Sequence, residues 1–132
     1  MLKKTISYED YNGNKHTEDF YFNLTKAEIA EMELEVPGGL AANLEKVTKT
    51  QDMPVLIKIF KDLILRSYGV KSDDGKRFVN TPAMREEFEQ HAAYSVLFME
   101  LATNADAASE FVNGILPSDM ASKMKELENK NK

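Results

Sequence analysis

Near the N-terminus, two short stretches alternate apolar and polar residues with a period of two. In residues 2–8, Ile6 and Tyr8 stand among polar neighbours, and in residues 15–22, Phe20 and Phe22 flank Tyr21. Successive side chains of a strand leave on opposite faces, so the pattern predicts two half-buried β-strands. Asn12-Gly13-Asn14 between them is a turn signal. The apolar residues of both strands carry even numbers, which constrains that turn. A two-residue Asn12-Gly13 turn would oppose Tyr11 to Asn14 and send Ile6 and Phe20 to different faces. A three-residue turn with a glycine bulge would oppose Tyr11 to Lys15 and keep them together. A bulged or longer hairpin is therefore expected.

After the hairpin the period changes to that of a helix. Thr25-Lys26-Ala27-Glu28 is a capping box, in which the threonine hydroxyl and the glutamate each take up a free backbone N–H of the first turn. The helix it opens carries Ile29, Met32 and Val36 on its apolar side and ends at Pro37-Gly38-Gly39. A second helix is expected over about 40–49, with Leu40, Leu44 and Val47 on one side. Residues 53–68 are the most apolar segment and predict the central helix. Leu56, Ile59, Phe60, Leu63 and Ile64 recur at helical spacing, Ile57 and Leu65 widen the face, Asp52 can cap it and Pro54 is tolerated in its first turn. Gly69 is expected to close it in the left-handed conformation.

Asp73-Asp74-Gly75 marks a turn within a small hairpin or ordered loop over Val70–Val79. Thr81-Pro82 opens a further helix through Met84 and Phe88 to about His91. Tyr94–Leu101 is helical, with Leu97, Phe98 and Leu101 inward. Thr103-Asn104-Ala105-Asp106 starts another helix, which runs through Phe111 and Val112 and stops at Gly114. Residues 119–132 form a polar helical or frayed tail. The fold class is thus α+β: an N-terminal hairpin over about 2–22 followed by five to six helices, all in one domain over residues 1–118.

The chain has 132 residues, 42% hydrophobic and 30% charged, enough to bury one core without cross-links. Cysteine is absent, which removes disulfides, thiolate metal sites and cysteine nucleophiles together. No apolar run approaches the roughly 18 residues of a membrane span, and no signal peptide is read at the N-terminus, so a cytoplasmic protein is expected. The net charge of −5 is interspersed and acidic, which disfavours nucleic acid as a partner.

Candidate chemistry is sparse. His16 and His91, the two histidines, have no partner at metal-ligand spacing and read as surface residues. Asp73-Asp74-Gly75 lacks the alternating ligands and closing glutamate of a calcium loop. Glu28, Glu31, Glu33 and Glu35 read as a solvated helix face, with a carboxylate enzyme as the competing view. No phosphate loop or nucleophile elbow is present. Neither catalysis nor a metal or cofactor is expected. Met32 and Met84 read as core filling. Leu116, Met120, Met124 and Leu127 differ, because their spacing draws one narrow apolar stripe along the tail. Such a stripe fits a groove, on this chain or on a partner, and these four residues are the candidate partner-binding set.

Three stretches carry a resemblance: YEDYNGNKHTEDFYFNLTKAEIAEME, IKIFKDLILRSYGVKSDDGKRF and AYSVLFMELATNADAASEFVNGILP. Together they resemble the small tail assembly chaperones of long-tailed, siphovirus-type phages and prophages of Gram-positive bacteria, over about residues 1–118. The resemblance implies a non-catalytic role in virion morphogenesis in the host cytoplasm. Its partners would be the tape measure protein, which such chaperones coat, and the tail tube protein, which they help recruit. It also implies self-association and, in many phages, a frameshifted longer form. The alternative reading is a permanent tail or connector subunit of similar composition.

Overall fold

The computed structural model describes residues 1–35 and 53–117, with side chains in the second segment from residue 57. The chain forms β1 (Leu2–Glu9), β2 (Lys15–Phe22), α1 (Lys26–Glu35), α2 (Met53–Ser67), β3 (Tyr68–Lys71) and β4 (Phe78–Val79). It continues as α3 (Pro82–Gln90), α4 (Ala92–Thr103) and α5 (Ala105–Ile115). This is the expected α+β arrangement, a hairpin followed by helices, of which five are described. The expected helix over 40–49, Val36, the Pro37-Gly38-Gly39 stop, the Asp52 cap, the Leu56 side chain and the tail from Ser118 lie outside the described residues.

The hairpin is bulged, as the even numbering of its apolar residues required. Its three-residue loop is Tyr11-Asn12-Gly13, one position earlier than a turn closed by Tyr11 and Lys15. Gly13 N–H donates to Asp10 O at 3.0 Å, Asp10 N–H donates to Asn14 O at 2.8 Å, and Gly13 takes φ 86°. Asp10 selects this position, because its Oδ1 accepts from the backbone N–H of both Asn12 and Asn14 at 2.9 Å. Register then pairs Leu2 with Phe22, Lys4 with Phe20 and Ile6 with Glu18, so the even-numbered residues share a face.

The residues over 70–79 form the expected second hairpin, around Gly75 at φ 72°. Asp74 Oδ1 accepts from Ser72 Oγ at 2.6 Å and from Lys76 N–H at 3.0 Å. The two hairpins join in one antiparallel sheet of order β1-β2-β3-β4, through Tyr21 opposite Gly69 and Phe22 opposite Tyr68. This corrects the role of Gly69. Helix α2 ends at Ser67 and passes directly into β3, and Gly69 is not left-handed. A Cβ on Gly69 would lie 2.6 Å from Phe78 Cε2 and 2.7 Å from Val79 O, so glycine is required there by close approach instead of by φ.

Helices α4 and α5 pack against β1. Ile6, Phe20, Phe22, Leu24, Leu63, Ile64, Phe88, Leu97, Leu101, Phe111 and Ile115 form the buried centre, joined by Ile29 and Met32 from α1. Burying side chains of this size stabilises by about 1.5–3 kcal/mol each. Aromatic rings organise that centre. Tyr68 stacks on Phe88 at 4.1 Å, and Phe22 meets Phe88 and Phe111 edge-on at 5.9 and 5.3 Å. Ser67, a buried polar residue, returns its hydroxyl to Leu63 O at 2.5 Å.

Local caps set the helix limits. Thr25 and Glu28 form the reciprocal box at 3.1 Å in both directions, and Thr81 Oγ1 accepts from Met84 N–H. Asn104 Oδ1 accepts from Ala107 N–H. His91 separates α3 from α4, its Nδ1 accepting from Ala93 N–H at 3.0 Å while its own N–H donates to Phe88 O. It is a half-buried cap packed on Tyr8 and Phe20, not an ordinary surface histidine. Helix α5 runs one residue past Gly114, where a Cβ would meet Leu2 Cδ1 at 2.8 Å, so this glycine serves close packing on β1 and does not stop the helix.

Candidate protein-binding surfaces

Leu116, the first residue of the candidate tail stripe, caps α5 and is 5% exposed within the core cluster. Met120, Met124 and Leu127 lie outside the described residues. The structure thus places one of the four.

Other large apolar side chains stand in solvent. Leu34, on the last turn of α1, is 90% exposed, and Tyr11 at the tip of the first hairpin is 86% exposed. Ile57 on α2, Val70 on β3, and Val96 and Met99 on α4 are also exposed. Val96 and Met99 are three residues apart and so share one side of α4. The helical pattern singled out Leu97 and Leu101, which are buried, but a near-uniformly apolar helix gave no sign of which further positions would face outward.

The predicted acidic face of α1 is partly engaged. Glu28 serves the capping box and Glu35 pairs with Arg66 at 3.1 Å. Glu31 is exposed.

The most concentrated polar group sits at the turn end of the first hairpin. Tyr8 donates its hydroxyl to Glu18. His16 Nε2 is 2.6 Å from Asp10 Oδ2, with Nδ1 3.8 Å from Glu18, and its ring stacks on Tyr8 at 5.2 Å. The bond to Glu18, helped by desolvation and the nearby carboxylates, pushes the Tyr8 phenol up to about 12. Asp10 is held below the usual carboxylate range, chiefly by His16 and then by the backbone N–H of Asn14. These groups satisfy one another and lock the hairpin. Among the described residues, no buried side-chain polar atom is left without a partner, and no group of three or more His, Asp or Glu is placed to hold a metal ion. Asn80 is the polar residue the sequence did not announce. It bridges α2, β3 and α3, and no local motif signals contacts that the sheet alone brings together.

No helix among the described residues is long and apolar enough to cross a membrane. What the described surface offers is therefore scattered apolar side chains on helix exteriors and the free edge of an eight-residue strand, β1. These are means of binding other proteins.

A family model described as phage tail assembly chaperone matches residues 1–132. Comparison with curated proteins and with solved structures gave no match.

Proposed function

Since the chain belongs to the phage tail assembly chaperone family, we propose that it binds the tape measure protein during tail morphogenesis, keeps it soluble and helps recruit tail tube subunits. The observation that carries this reading is the family match over the full length, residues 1–132. The role is one of binding without catalysis, in the cytoplasm of a bacterial host, and the resemblance of the three stretches quoted above points to a long-tailed phage or prophage of a Gram-positive bacterium. A tape measure protein is long and rich in amphipathic helix, and its apolar stripes aggregate unless covered. Exposed Leu34, Ile57, Val96 and Met99 offer apolar contacts of the kind such stripes need. Individually weak contacts suffice, because copies that also associate with one another along one partner raise each other's effective concentration.

The test is co-expression of the tape measure protein encoded with this chain. The tape measure protein should be insoluble alone and soluble in a complex holding several copies of the chain, and mature particles should contain little of the chain. A tape measure protein equally soluble without the chain, or one that does not co-purify with it, refutes the reading. Abundant copies in purified tails would make the chain a permanent tail subunit.

A further inference from the structure

Strand β1 is an edge of the sheet, and its hydrogen-bonding direction follows from the turn. Asp10 and Asn14 are a hydrogen-bonded pair, and such pairs alternate along an antiparallel ladder. Tyr8, Ile6, Lys4 and Leu2 therefore bond to β2. Lys3, Thr5, Ser7 and Glu9 turn their N–H and C=O groups outward, where no backbone group among the described residues meets them. The strand is eight residues long with no proline, and its turn bulge lies beyond its last residue. Natural edges avoid pairing by shortness, proline, an internal bulge or edge charges, and of these devices β1 carries only the charges, Lys3, Lys4 and Glu9.

We propose that β1 pairs antiparallel with β1 of a second copy of this chain, about a twofold axis at Ile6, to form a sheet continuous across the dimer. Outward groups must face outward groups, so odd-numbered residues must oppose odd-numbered ones. The register centred on Ile6 does this for all four residues, placing Lys3 opposite the other copy's Glu9 and Thr5 opposite its Ser7. Opposite charges thus meet twice, while between them the small Thr5 and Ser7 side chains keep their hydroxyls on Asp19 and Thr17 of their own chain. Neither Lys3 nor Glu9 has an ion pair among the described residues of its own chain, so both are available. The helix layer fits the same arrangement. Glu100 on α4 bonds Lys4 of β1 at 3.1 Å, and Val96 stands one turn before Glu100 on the same flank, 42% exposed. The isologous contact is self-complementary, as a twofold dimer requires.

This pairing gives a surface to the self-association in the functional reading above, but its test needs no tail protein, so the two can fail separately. The measurement is sedimentation equilibrium of the purified full chain, with far-ultraviolet circular dichroism as the control for folding. The expected mass is about twice the 15.0 kDa of one chain. Ser7→Pro removes an outward N–H and obstructs the edge without breaking a backbone bond to β2, giving up only the 3.0 Å hydroxyl contact with Thr17, and should leave a folded monomer. Lys3→Glu alone should raise the dimer dissociation constant about tenfold, by opposing like charges twice, and Lys3→Glu with Glu9→Lys should restore it. If the proline variant does not fold, the charge exchange decides by itself. A monomeric parent chain, a folded Ser7→Pro variant that still dimerises, or a double charge variant no tighter than Lys3→Glu overturns the proposal.

Discussion

Asn80 offers the sharpest test of how the structure is held, because one side chain there serves three elements. Its Nδ2 donates to Arg66 O at 2.8 Å, to Tyr68 O, and more weakly to Leu65 O at 3.4 Å, while its Oδ1 accepts from Arg85 Nε at 2.7 Å. It thereby ties the last turn of α2 and the start of β3 to α3. Each good neutral bond is worth about 1 kcal/mol net, and a bond from a charged donor about 1.5–3 kcal/mol. The site is part-buried, so Arg85 recovers much of its loss from water. Asn80→Ala should then cost about 2–3 kcal/mol. Asn80→Asp keeps the Arg85 contact but loses both donors and sets a carboxylate against two carbonyl oxygens, so it should cost at least about 2 kcal/mol despite its near-identical shape. Urea unfolding followed by circular dichroism reads this as a lower midpoint at unchanged slope. By heat, the drop should be about 6–12 °C. An Asn80→Asp variant within about 0.5 kcal/mol of the parent would show that the donor geometry does not carry the stability and would refute the reasoning.

Gly69→Ala places a methyl within 3 Å of Val79 O, a backbone atom that cannot swing aside, and should destabilise by about 2–3 kcal/mol or detach β4, seen as faster hydrogen exchange at Val70. The depressed Asp10 pKa means that the folded state favours its ionised form, so its contribution is present above the ordinary carboxylate value of 3.8 and is lost as pH falls through the folded pKa. Asp10→Asn should flatten the acid limb of a stability profile below about pH 4. Tyr8, raised from 10.0 to about 12, contributes fully below pH 10 and loses its contribution as pH rises toward 12. Tyr8→Phe should remove that alkaline loss, and an unchanged profile in either variant would rule out the corresponding linkage. Deleting residues 119–132 should weaken binding to the tail-protein partner while the circular dichroism spectrum keeps its folded form, and an unchanged isotherm would discard the stripe.

What the sequence alone determined was local. Period-two alternation marked β1 and β2, and the even numbering of Ile6, Phe20 and Phe22 required a bulged turn before any turn was seen. Thr25 with Glu28, Thr81 with Pro82, and Asn104 named three helix starts, because a cap and the N–H it satisfies lie within one turn of chain. The binding role came from extended likeness to a family, since no constellation of side chains carries it. The tertiary structure decided what depends on residues remote in sequence. Pairing of β2 with β3 made Gly69 a close-contact position, and packing on the hairpin turned His91 into a half-buried cap. The same packing drew Leu116 into the core and gave Asn80 its partners on three elements. Hydrophobic periodicity reports which side of an element is buried but not against what. That β1 is an edge among the described residues follows from strand order, which is settled only when the whole sheet has formed.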